Sequence, residues 1–91
     1  MPAGPDFETV KRYLAANVAR LRARRGWSQQ QAADAANLDL KHLQKLEYAS
    51  LNASLRTLVR LASAFEVSIG KLLAPTSARP PKRPVGRPPR S

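Results

Sequence analysis

Residues 28–48 read SQQQAADAANLDLKHLQKLEY, and they decide the fold. Two short helical stretches, 28–36 and 40–48, are joined by three residues. Ser28 is an N-cap candidate, and Gln31 three positions on supplies a partial capping box. Ala32, Ala33 and Ala36 are small enough to let a second helix approach closely. Asn37 tolerates a left-handed backbone and ends the first helix, while Asp39 is expected to cap the next. Leu38 between them plugs the gap. Leu43 and Leu46 share one face and anchor the second helix, which leaves Leu40, Lys41, Gln44, Lys45 and Tyr48 free to face elsewhere. Two helices on so short a turn form a helix-turn-helix. A helix held by one face can enter a major groove about 12 Å wide and present its N-terminal side chains to base edges.

Outward from this pair, the rest of the chain also reads as helix. Phe7, Val10, Leu14, Val18 and Leu21 recur at spacings of 3 and 4, one face of a helix expected over 7–25. Asp6 caps its start. Arg20, Arg22, Arg24 and Arg25 crowd its end, where cations oppose the negative pole of the dipole, and Gly26 closes it. On the other side, 49–53 reads as a loop. Ser54 caps a fourth helix with Leu55, Leu58, Leu61, Ala62 and Phe65 on one face. Ser68 caps a short fifth helix carrying Ile69, Leu72 and Leu73, stopped by Pro75. Aromatics are only 5% of the chain and the apolar set is mostly Ala and Leu, which disfavours strands. The expectation is an all-α fold of five helices over 6–74, after a flexible 1–5 and before a disordered basic tail, 75–91.

Charge points to the partner. Sixteen Lys and Arg against six Asp and Glu give +10 in 91 residues. Such an excess favours a polyanion, with nucleic acid first and an anionic membrane surface second. The folded part carries eleven basic and six acidic residues, a balance of +5, and 75–91 carries five basic residues and no acid, again +5. That tail holds six prolines and one apolar side chain larger than alanine, Val85, too little to form a core.

The ordered set from Asn17 to Leu73 resembles the Cro and C1-type (XRE-type) helix-turn-helix regulators of phages and bacteria. It comprises Arg22 and Gly26, Ser28-Gln29, Ala33, Leu38, Leu43, Leu46-Glu47, Ser54-Leu55, Leu58, Leu61-Ala62, Val67-Ser68 and Leu72-Leu73. The resemblance implies a lambda-repressor-like five-helix domain, acting as a homodimer on a palindromic double-stranded DNA site, in the cytoplasm with the nucleoid. It implies phosphate contacts from Ser28, Gln29 and Asn52. It puts Leu40, Lys41, Gln44 and Lys45 at base-reading positions, where Lys can donate to guanine and Gln can pair with adenine. It makes Arg22 and Glu47 an ion pair joining the first and third helices, so removing one partner strands a charge at roughly 3–5 kcal/mol. Departures from the pattern are Asp39 where Ser or Thr is frequent, Leu40 with only an apolar contact to offer, Ala49 for a common glycine and Ala32 for a common leucine.

Lys82-Arg83-Pro84-Val85-Gly86-Arg87-Pro88 resembles an AT-hook, with Val85 in place of the first arginine. Lys82, Arg83, Gly86 and Arg87 are therefore minor-groove candidates. The other reading is a solubilising tail with general phosphate affinity. Chemistry is poorly served by the remaining residues. His42 is the only histidine and lacks a paired nucleophile or metal cluster, and there is no cysteine. No enzyme, metal, cofactor or small-molecule site is expected. No apolar run approaches the roughly 20 residues of a membrane span. Two functions stay open: a sequence-specific transcriptional regulator, or an antitoxin or accessory module whose main partner is a protein.

Overall fold

Short polar residues open the helices. In the computed structural model, which describes residues 6–50 and 52–78, α1 runs Phe7–Arg24, α2 Gln29–Ala36, α3 Leu40–Glu47, α4 Leu55–Phe65 and α5 Ile69–Leu73. The Asp6 carboxylate accepts from the Thr9 amide at 2.8 Å. That bond, ahead of lesser contributions, holds its pKa below the ordinary carboxylate value. Ser28, Ser54 and Ser68 accept from the amides of Gln31, Thr57 and Lys71 at 3.0, 3.1 and 3.0 Å. The Ser28 amide donates in return to the Gln31 side chain at 2.8 Å, which completes the capping box. Asp39 departs from the expectation. Its backbone has the extended N-cap geometry, but its side chain makes no capping bond. Entry into α3 is set by the backbone and by the burial of Leu43.

Left-handed residues end the helices. Gly26, at φ +69°, follows α1, and Asn37, at φ +57°, ends α2. Ala49 and Glu66 take the same conformation, at +57° and +58°, after α3 and α4. No strand is present among the described residues.

Leu14, Val18, Leu21, Leu43, Leu46, Leu61, Phe65 and Leu72 form one core, closed by the alanines of α2. α1 lies against α3, α4 and α5, and α2 against α3 and α4. Ala32, Ala33 and Ala36 are buried where α2 packs against α3 and α4. Leu38 is half-buried against this core. Two apolar residues expected to face inward do not. Phe7 is 56% exposed and Leu55 is 72% exposed. Each sits in the first turn of its helix, where the apolar stripe outruns the elements that cover it.

One buried polar residue ties the ends of the chain together. Asn17, 1% exposed, donates to the carbonyls of Leu72 at 2.8 Å and Ala74 at 3.0 Å, and accepts from Arg20 at 2.8 Å. It satisfies the carbonyls at the C-terminal end of α5 that no further turn would reach.

Candidate nucleic-acid interface

α3 is fastened from behind. Leu43 and Leu46 are buried, and so is Glu47, whose side chain is fully inaccessible. A buried carboxylate needs partners, and it has three bonds. Arg22 donates from Nε at 2.6 Å and from Nη2 at 3.1 Å, the bidentate fork that suits a carboxylate. Gln29 donates from Nε2 at 3.1 Å. The remaining Arg22 arm, Nη1, donates to the Trp27 carbonyl at 3.0 Å and fixes the chain between α1 and α2. The Arg22–Glu47 pair therefore joins α1 to α3 while Gln29 adds α2.

The network continues to the open face. Gln44 donates from Nε2 to the Gln29 side-chain oxygen at 3.2 Å. Gln44 keeps its own amide oxygen and a second N–H for another partner. Lys41 and Lys45, one helical turn apart, are exposed, and Leu40 and Gln44 are half-buried. Behind the turn, Arg60 of α4 donates to the Asn37 carbonyl at 3.3 Å.

The structure thus brings Gln29, Gln44, Glu47 and Arg22 into one hydrogen-bonded chain, with Ser28 at the start of α2 beside them. The Gln29–Gln44 bond was not legible beforehand, since two side chains fifteen positions apart meet only once the helices cross. Asn52 lies outside this chain. It is exposed and lines an apolar groove of about 120 Å³ with Phe7, Val10, Leu14, Leu58 and Leu73. Leu51, and the tail candidates Lys82, Arg83, Gly86 and Arg87, lie outside the described residues. Trp27 packs at the rim, its ring 5.5 Å from that of Phe65 and 5.2 Å from the Arg25 guanidinium. His42 is half-buried, and among the described residues no three His, Cys, Asp or Glu side chains cluster to hold a metal. Among them, too, no helix is long and apolar enough to cross a membrane.

Comparison with known proteins places this geometry. The profile of a family described as helix-turn-helix matches residues 18–72, which spans α1 from Val18 to the buried Leu72 of α5. A protein of Neisseria meningitidis serogroup B, named as a hypothetical transcription factor, is 31% identical over 75 residues, covering 82% of this chain and 71% of the relative. The crystal structure of a hypothetical Neisseria transcription factor superposes with a TM-score of 0.71 at 32% identity, over 82% of this chain and 87% of the other. The restriction-modification controller protein C.AhdI of Aeromonas hydrophila superposes with a TM-score of 0.65 at 26% identity, over 68% and 94%. By profile, sequence and fold, the chain belongs to the helix-turn-helix family of the Cro/C1 (XRE) type, a family of DNA-binding transcription regulators.

Proposed function

We propose that this protein is a sequence-specific transcription regulator that binds double-stranded DNA as a dimer, with α3 in the major groove. The observation that carries the reading is the one-sided fastening of α3. Leu43, Leu46 and Glu47 are buried, while Lys41 and Lys45 stand exposed on the opposite side. Lys41 and Lys45 donate to guanine O6 and N7, Gln44 pairs with adenine, and Leu40 packs on a thymine methyl. Ser28 and Gln29 meet a phosphate at the N-terminus of α2, where free amides and the helix dipole favour an anion. Asn52 touches the backbone from the loop after α3. Gln29 bonds to Gln44, so the phosphate contact and the adenine contact set each other's geometry.

Residues 6–74 act as the DNA-binding domain and 75–91 as a basic arm that adds phosphate or minor-groove contacts through Lys82, Arg83, Gly86 and Arg87. The protein works in the cytoplasm, on the nucleoid, and needs no cofactor. Selection of bound sites from random duplex DNA tests the reading. An enriched palindromic site is expected, and Lys45→Ala should lose roughly 1–3 kcal/mol of discrimination at one base position. Absence of any enriched site, together with a shallow dependence on salt, would point instead to a module whose main partner is a protein.

A further inference from the structure

Four of the five helices use their N-cap side chain to hold the amide three positions on, at Asp6, Ser28, Ser54 and Ser68. Asp39 does not. Its carboxylate is exposed, makes no bond to the amides of α3, and enters no ion pair among the described residues. It stands at the N-terminal end of α3, the end foremost in the groove under the proposed function, with exposed Lys41 two positions on. We propose that Asp39 is a specificity residue whose carboxylate accepts a hydrogen bond from the N4 amino group of a cytosine. This inference rests on α3 being the major-groove helix.

The electrostatics favour that role over a passive one. A carboxylate near duplex DNA faces the phosphate field and is repelled by every sequence alike. Only a base-edge donor in the major groove offsets the repulsion, and two exist there, cytosine N4 and adenine N6. Adenine N6 has the acceptor N7 beside it on the same base, which repels the second carboxylate oxygen. Cytosine N4 has a C–H beside it. A short, ionised side chain therefore selects cytosine. The protein carries +10, so its attraction to DNA of any sequence is large. Asp39 lowers that attraction everywhere and returns it only opposite cytosine. This widens the ratio of specific to nonspecific binding, the quantity that decides occupancy among many competing sites.

The test uses the full chain, as wild type, Asp39→Ala and Asp39→Ser. Serine can restore a side-chain cap, so loss of folding in the alanine variant would not block the measurement. Sites are selected from random duplex DNA, and affinity for unrelated duplex is measured alongside. The wild-type site should hold a cytosine at one position, or twice if the site is palindromic. Both variants should lose that preference by on the order of ten-fold and bind unrelated duplex more tightly. Unchanged preference at every position, or unchanged affinity for unrelated duplex, overturns the role of Asp39 alone. A wild type that enriches no site overturns the placement of α3 in the groove, and this inference with it.

Discussion

Single residues show where the chain accepts a local cost. Ala49 takes φ +57° immediately after α3. It does so because the helix closes on itself there: the Ser50 amide reaches back to the Lys45 carbonyl at 2.9 Å and the Ala49 amide to that of Leu46 at 3.1 Å. A side chain in that conformation costs roughly 1–2 kcal/mol, and glycine avoids it while giving back part of the gain as unfolded-chain entropy. Ala49→Gly should therefore stabilise the protein by about 0.5–1 kcal/mol, read as a shift of the denaturation midpoint at constant slope. A midpoint that stays or falls would mean that Ala49 gains more from packing than its backbone loses. This position was legible beforehand, because glycine is common there in the family. Asp39 was only half legible. Its type and place suggest a cap, but whether a carboxylate bonds to its own helix depends on a rotamer that sequence does not specify.

At the scale of elements, α5 is the instructive case. Five residues are far below the length at which a helix stands alone in water. It is held by the burial of Leu72, by the Ser68 cap and by the two bonds from Asn17. Asn17→Ala removes both donors and leaves the Leu72 carbonyl buried and unpaired. The expected cost is about 1–3 kcal/mol. Amide exchange over 69–74 should accelerate more than in α2 or α3. A uniform acceleration in all helices would show that Asn17 supports the whole core and not the end of α5. Helix positions were legible because their causes are local, in caps at Ser28, Ser54 and Ser68 and stripes of spacing 3 and 4. Asn17 was not, because its partners lie 55 and 57 positions away. Its one trace in the sequence is an amide set among Leu14, Val18 and Leu21. Phe7 and Leu55 failed in the opposite sense. Periodicity gives the side of a helix on which a residue sits, and says nothing of where the covering element stops.

For the molecule as a whole, charge governs how it meets its partner. The five basic residues of 75–91 are half of the net +10 and are accompanied by no acid. Each phosphate neutralised contributes about 0.9 to the slope of log affinity against log salt. Deleting residues 76–91 should leave the thermal transition of the domain in place, weaken DNA binding, and reduce that slope by up to roughly 4.5. Equal slopes with and without the tail would remove it from the interface. Asn17 gains a second meaning here. By gripping the carbonyls of Leu72 and Ala74 it pins the point from which the rest of the chain departs. In the proposed reading the arm of residues 75–91 starts from that point, and bond geometry limits the reach of seventeen residues to at most about 60 Å. That upper bound exceeds one helical turn of duplex, roughly 34 Å. If that arm binds DNA as proposed, seating the domain would present its arginines to the same duplex at a local and not a bulk concentration. On that proposal, loosening the Asn17 grip would free the arm's starting point and weaken the second contact without altering any residue proposed to touch DNA.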